Sequence, residues 1–253
     1  MTAEEKLQLL HSQNYTVSKS NAIIQKSRYE LSLPEQRAIC YICSLIKPRT
    51  KLDKANQVPF QLEYDFQLID YARICGIPTD GRFYLDTKEL LKGLVKKVMW
   101  LTLPDGTETT VNWVSKVWIN RRSGKVKVRI DEDMAPYLFD LQEKFTSYGL
   151  YNVLKMKSQY SIRLFELLKS YAYQLQKTFE VDELKKLLMV DAVKSYHDYG
   201  MFRQKVLEPA IREVNELTEL NITMEPETKG RKVIKVKFTI SKKTNLEMMR
   251  LGI

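Results

Sequence analysis

Histidine is almost missing from this chain, which has only His11 and His197 among 253 residues. Cysteine is scarce too, present only as Cys40, Cys43 and Cys75. A closed zinc site takes four ligands, and these five residues share no spacing that builds one, so neither a metal nor a cofactor is expected. Three thiols cannot all pair, which argues for a reducing compartment. Cys40-Tyr-Ile-Cys43 does match C-x-x-C. It sits inside an apolar helical run, where small buried thiols are common filler, and redox or metal use is the minor reading. The nine glycines are scattered, and no G-x-x-x-x-G-K-[ST] loop cradles a nucleotide phosphate. No apolar run approaches eighteen residues, so nothing is expected to span a membrane. The start, with Glu4 and Glu5 beside Lys6, lacks the basic and apolar regions of a signal peptide. No nucleophile, base and orienter stand together, and acid pairs such as Asp131 and Asp133 flank strand ends as solvated turns do. An enzyme is not expected.

What the chain does have is positive charge. Lys and Arg number 41 against 31 acids, a formal +10 that is spread along the sequence rather than held in a tail. Such a surface attracts polyanions over roughly a Debye length. Acidic lipid would also attract it, but no basic amphipathic helix stands out to lie on a bilayer. Apolar content of 44% and charged content of 28% are those of a globular protein, and the length suits one large domain or two ordinary ones.

The most informative stretch runs from Tyr196 to Ile240. Phe202, Val206, Leu207, Ala210, Ile211, Val214 and Leu217 recur at helical spacing, with Gln204, Lys205, Glu208 and Arg212 opposite. The wheel places Arg203 towards the apolar half, and Pro209 removes one backbone donor in mid-helix. Asn221 is read as the end of the helix. Ile222 and Met224 then alternate as a strand does, and Glu225 to Lys232 is expected to be a turn. Ile234, Val236, Phe238 and Ile240 alternate with Lys235, Lys237 and Thr239, a half-buried strand with a cationic outer face. From Glu227 to Lys243 there are seven bases and one acid. A helix fit for a groove, followed by a ribbon with a basic tip, is the plan of a winged-helix DNA-binding domain. The plain alternative is a solvated edge protected by Lys.

The first half repeats that order. Residues 1–14 read as a short arm with Leu7, Leu9 and Leu10 on one side. A short helix covers Asn21 to Lys26. Ser32, Pro34 and Glu35 then cap a helix carrying Ile39, Ile42, Cys43 and Ile46 inward. Lys47 to Asn56 reads as a polar loop and Val58 to Tyr64 as a strand, with Asp65 capping a helix that ends before Gly76 and Pro78. Phe83 to Lys97 is a helix. Strands are expected at 98–103, 109–119 and 125–130, the last two joined by Asn120-Arg-Arg-Ser-Gly-Lys125. Lys116 to Arg129 holds six bases and no acid. Trp100, Trp113 and Trp118 lie in these alternating strands and are assigned to the core. A helix is expected within 134–148, containing Tyr137, Leu138 and Leu141. Beyond it follow a helix at 157–173, a strand near Phe179 and a helix from Asp182 to Met189. The fold class is α+β, two tandem winged-helix domains: an arm (1–14), an N-terminal domain (15–145), a C-terminal domain (146–243) and a tail (244–253).

Tyr160-Ser-Ile-Arg-Leu-Phe-Glu-Leu-Leu-Lys-Ser-Tyr171, Phe202-Arg-Gln-Lys-Val-Leu-Glu-Pro-Ala-Ile-Arg-Glu-Val-Asn215 and Ser32-Leu-Pro-Glu-Gln-Arg37 fall in order along residues 15–241. In these segments the chain resembles the iteron-binding plasmid replication initiators. The resemblance implies two winged-helix domains that grip a direct repeat of a plasmid origin. The C-terminal one reads bases in the major groove. The N-terminal one holds backbone or the rest of the repeat and forms dimers. It further implies that dimers repress the initiator's own gene, that monomers open the origin and recruit host initiator and helicase machinery, and that the setting is the bacterial cytoplasm. A winged-helix transcriptional regulator with no initiator role would present the same surface. A tyrosine-nicking initiator is the third alternative, but it needs two closely spaced histidines for its metal, and His11 and His197 are far apart.

Candidate DNA contacts follow from chemistry. Arg bonds guanine O6 and N7 together and Gln does the same with adenine, which points to Gln204, Lys205 and Arg212, with Arg203 of lower weight in the first turn of the helix. Lys194 and Tyr199, just before the helix, are in reach of phosphate. Lys229, Arg231 and Lys232 on the second ribbon, and Arg121, Arg122 and Lys125 on the first, are phosphate candidates. Lys88, Lys92, Lys96 and Lys97 are secondary candidates, for which ordinary helix-surface charge is the competing account.

Overall fold

The computed structural model describes residues 15–103, 105–141 and 144–251. The expected arm at 1–14 lies outside the described residues. Two compact units emerge: one takes the chain to Ile23 and Tyr29–Leu154, the other takes Ile24–Arg28 and everything from Lys155. The expected division lay after residue 145. The observed one falls after Leu154, with a five-residue segment from near the start joined to the second unit.

The first unit begins with β1 (Thr16–Ser20) and the opening of α1 (Asn21–Lys26), whose end runs into β2 (Ser27–Arg28). Next come α2 (Leu33–Leu45), α3 (Lys51–Ala55), β3 (Glu63–Gln67), α4 (Leu68–Cys75) and α5 (Phe83–Val95). The strands β4 (Val98–Thr102), β5 (Glu108–Asn112), β6 (Val114–Ile119) and β7 (Lys125–Ile130) follow, then α6 (Ala135–Leu138), β8 (Phe145–Gly149) and α7 (Tyr151–Leu154). The capping box forms as the sequence implies: the backbone N–H and hydroxyl of Ser32 both donate to Glu35 Oε2, at 2.7 and 2.9 Å. Gly76 closes α4 with φ 63°, a left-handed position that costs glycine nothing.

The core of this unit is aromatic. Tyr41 is buried against Phe66 (5.2 Å, edge-on), Tyr71 (5.1 Å) and Tyr15 (6.0 Å). Burial pushes the Tyr64 phenol up to about 12 and raises Tyr71 well above the usual phenol range, as expected for hydroxyls kept from water.

Several local expectations change here. The strand expected at 58–64 forms at Glu63–Gln67, because Pro59 has no donor for a ladder. Asp65 therefore faces outward from a strand and does not cap a helix. The expected polar loop contains α3, whose Thr50 accepts from Asp53 N–H at 3.1 Å. The single strand expected at 109–119 is broken at Trp113. That indole is buried, edge-on to Tyr29 at 5.4 Å, and the chain passes there from the β4–β5 pair to a separate sheet. Trp113 is core as expected, whereas Trp100 (53% exposed) and Trp118 (37%) face solvent. Met99 and Leu101 take the inner positions of β4, so strict alternation turns Trp100 outward. Among the described residues of 134–148 the α-helix covers Ala135–Leu138 alone. Beyond it Thr146 and Tyr148 alternate inward as β8 pairs antiparallel with β1.

The second unit has α8 (Gln159–Ser170), β9 (Gln176–Glu180), α9 (Val181–Leu187), α10 (Tyr199–Phe202), α11 (Glu208–Leu217), β10 (Leu220–Lys229), β11 (Lys232–Lys242) and α12 (Asn245–Leu251). In α8 Ile162, Leu164, Phe165, Leu167 and Leu168 are all buried. Arg163 is buried as well, its Nη2 donating to the Ser27 carbonyl (2.8 Å) and its Nε to that of Leu187 (3.2 Å). Gln25 Nε2 donates to Ser170 Oγ at 3.0 Å, so the early segment is stitched into this unit at both ends.

Both units share one arrangement: a helix, a strand, two further helices and a ribbon. The ribbon's second strand pairs with the lone strand. The sheet orders are β3-β7-β6 and β9-β11-β10. These are two winged-helix domains.

Candidate nucleic-acid interface

The helix expected from Tyr196 to Leu217 is not one regular helix. A 3₁₀ turn spans Lys194–His197, α10 follows, a π turn occupies Arg203–Leu207, and α11 completes the element. Pro209 has no N–H to return to the carbonyl of Lys205, and the widened turn sits directly before it. In the π turn the Glu208 N–H donates to the Arg203 carbonyl. One extra residue in the turn shifts the phase of the wheel. Arg203 consequently emerges exposed beside Gln204 and Lys205, not towards the apolar half. Phe202, Val206, Leu207, Ala210 and Val214 remain buried.

The helix stops at Leu217 rather than near Asn221. Thr218 Oγ1 donates back to Val214 O at 2.8 Å and accepts from Leu220 N–H at 3.1 Å, turning the chain into β10. Asn215 fastens the helix to the ribbon through both polar atoms of its amide.

The ribbon is longer and its turn shorter than expected. Strand pairing continues from Leu220↔Lys242 to Lys229↔Lys232, with a bulge between Glu227 and Thr228, and only Gly230 and Arg231 form the loop. Gly230 has φ 63°, the positive value that a two-residue hairpin loop asks of its first position. Glu225 faces Lys237 and Glu227 faces Lys235 across the ladder, favourable opposite-charge pairs. At the tip this reverses, since Lys229 stands opposite Lys232 with Arg231 between them. Like charges placed across a ladder destabilise it. Among the described residues none of these three cations has a carboxylate within 4.0 Å. Local folding does not account for that concentration of charge; a polyanion would.

Gln204, Lys205 and Arg212 are likewise exposed, with no side-chain hydrogen bond or ion pair among the described residues. Arg203 is held by Glu208, Nε to Oε1 at 2.7 Å. Lys194 is exposed on its 3₁₀ turn. Tyr199 opens α10, but its hydroxyl is buried and makes no hydrogen bond among the described residues. Burial raises its pKa. It lines a hollow of about 480 Å³ together with Lys185, His197, Arg231 and Lys232. Lys185 was missed by sequence reasoning because it lies on α9, outside the helix and the ribbon. Its Nζ donates to His197 O at 3.3 Å.

The ribbon of the first unit ends in a loop stitched by Asn120, whose Oδ1 accepts from the N–H groups of Arg122 (3.0 Å) and Ser123 (3.1 Å). Arg121 reaches over the ring of Tyr84 on α5 at 5.7 Å, joining ribbon tip to helix. The candidate cations divide here. Lys92 pairs with Glu89 (3.3 Å), Lys97 with Glu35 (3.3 Å) and Lys125 with Asp65 (3.3 Å). Lys88, Lys96 and Arg122 are exposed with no ion pair among the described residues. Trp118 carries Lys116 at 4.8 Å and Lys127 at 5.8 Å from its ring. Among the described residues no group of His, Cys, Asp and Glu could hold a metal ion, and no helix is long and apolar enough to cross a membrane.

The model described as "Initiator Replication protein, WH1" matches residues 16–169, and "Initiator Rep protein, WH2" matches residues 180–240. The chain belongs to the replication initiator family. It is similar to a "Replication initiation protein" of Escherichia coli, 23% identical over 207 residues, covering 79% of this chain and 62% of that one. It is also similar to the "PI protein" of Escherichia coli, 28% identical over 147 residues, covering 52% and 48%. The chain thus spans less than two thirds of the length of either relative. Among solved structures, "Pi initiator protein in complex with iteron DNA" superposes with a TM-score of 0.71 at 23% identity, covering 92% of this chain and 99% of that one. Domains 2 and 3 of RctB superpose with a TM-score of 0.51 at 9% identity, covering 94% and 98%. At these identities the family's two-domain fold is what the superpositions show.

Proposed function

We propose that this chain is a sequence-specific duplex-DNA-binding protein that initiates plasmid replication by binding direct repeats at the origin, and that as a dimer it represses its own gene. The observation that carries the reading is the second unit's surface, where three cations with no ion pair among the described residues sit at a ribbon tip, beside a helix element exposing Arg203, Gln204, Lys205 and Arg212. The helix supplies base-edge contacts in the major groove, and the ribbon supplies phosphate contacts. The exposed cations Lys88, Lys96 and Arg122 of the first unit add backbone contacts. The Pi initiator, a similar protein, has been crystallised with iteron DNA, which supports the same class of site here.

Self-association runs through the first unit, where Trp100 and Val98 project from the outer face of the β4–β5 pair. Host initiator and helicase proteins are the partners this role requires, and the setting is the bacterial cytoplasm. The protein does no chemistry on DNA: with supercoiled origin DNA and Mg²⁺ it leaves circles intact and hydrolyses no ATP. Nicking that vanished on mutation of one tyrosine would overturn this.

The deciding experiment is a footprint on the DNA flanking the gene. Protection of direct repeats spaced about two helical turns apart supports initiation, whereas protection of an isolated palindrome alone favours a regulator.

A further inference from the structure

The pairing of Arg203 with Glu208 has a geometry that an α-helix does not allow. Residues five apart on an α-helix point about 140° away from each other. Here the π turn brings them together, and Arg203 Nε meets Glu208 Oε1 at 2.7 Å. Glu208 grips Arg203 twice, because its own N–H also closes the turn on the Arg203 carbonyl.

We propose that Glu208 is a positioning residue that holds Arg203 by its Nε edge and presents the two Nη groups outward as a fork for guanine. This deepens the reading above and rests on it. A guanidinium offers five donors on three nitrogens. With Nε occupied, the side-on fork is spent and the end-on fork remains, matched to the O6 and N7 acceptors of guanine. The Nη atoms make no hydrogen bond among the described residues. Holding the side chain in place lowers the ordering cost of binding. The carboxylate also opposes a phosphate approaching from its side, so Arg203 is discouraged from settling on backbone. Gln204 and Lys205, its neighbours, have no such clamp. The competing account is an ordinary surface ion pair, for both side chains are about half exposed (49% and 46%).

The test uses the full chain and a duplex that the wild-type protein has selected from a randomised pool, with each guanine replaced in turn by 7-deazaguanine, which lacks the N7 acceptor. Wild type should lose about tenfold in affinity at one guanine. R203A should show no further loss at that position. E208A should shrink the penalty to about twofold while binding random DNA more tightly. E208Q should keep most of the penalty, since its amide oxygen still accepts from Nε. E208D, too short to cross the turn, should behave as E208A. Matched thermal melts confirm that each variant is folded. Penalties unchanged in both E208A and E208D would reduce the pair to surface decoration and overturn the proposal. A penalty that survives R203A would overturn it as well. Failure of wild type to prefer any selected duplex over random DNA would instead sink the DNA-reading function itself.

Discussion

Asn215 and Ile222 are bonded to each other twice: Asn215 Nδ2 donates to the Ile222 carbonyl at 2.9 Å, and its Oδ1 accepts the Ile222 N–H at 2.7 Å. A side-chain amide that mimics a strand neighbour in this way sets the angle between α11 and β10. Helix and ribbon are therefore held as one piece.

Asn215→Ala leaves the Ile222 donor and acceptor without their partner, at a cost of roughly 1–3 kcal/mol. The expected result is a lower urea midpoint together with weaker binding to origin DNA. An unchanged midpoint would show that water replaces the amide without loss.

The ribbon tip and the helix separate by salt. Single alanine substitutions at Lys229, Arg231 or Lys232 should weaken cognate and random DNA alike and lower the salt-dependence slope by about one unit each. Gln204→Ala or Arg212→Ala should cost roughly 1–3 kcal/mol on the cognate repeat and much less on random DNA. Isotherms on both DNAs at several salt concentrations check this. Specificity lost only from the ribbon variants would mean that the two elements have exchanged roles.

Pro209 tests the π turn. Pro209→Ala returns a donor to the helix and removes a residue that opposes a regular turn. The melting temperature should hold or rise while the cognate-to-random affinity ratio falls, because Arg203 rotates off its present face. An unchanged ratio would mean that the turn does not place the reading residues.

Trp100 and Trp113 should behave in opposite ways. Trp113→Ala empties a buried site and should cost about 3–5 kcal/mol of stability. Trp100→Ser, at an exposed position, should leave the melt alone but shift the sedimentation profile towards monomer. A profile unchanged over the whole concentration range would move the association surface elsewhere.

Strict alternation made β11 legible, because Val236, Phe238 and Ile240 all face inward. The apolar spacing of α8 was legible too, although Ser161, Arg163 and Glu166 are buried there alongside the apolar residues. The wheel failed at Arg203 because it assumes a constant 100° per residue, an assumption that a proline-adjacent π turn breaks. Trp118 was misassigned because the phase of alternation is lost at Trp113, where the chain changes sheets, and Trp100 because Met99 and Leu101 take the inner positions of β4. The α3 helix had a visible signal, Thr50 three residues before Asp53, which went unused among polar neighbours. The joining of Ile24–Arg28 to the second unit has no local signature at all, because it depends on what Arg163 finds once folded. At the site, residue types and the ribbon's basic tip were readable, but which cations are already bound to acids was not.

That five-residue loan bears on heredity. A recombination event that carried residues 155–253 alone into another gene would deliver Arg163 without the Ser27 carbonyl and Ser170 without Gln25. The second domain is therefore not a cassette with one upstream breakpoint. To be inherited whole it must travel with residues encoded more than a hundred codons earlier, which selects for moving the two domains together.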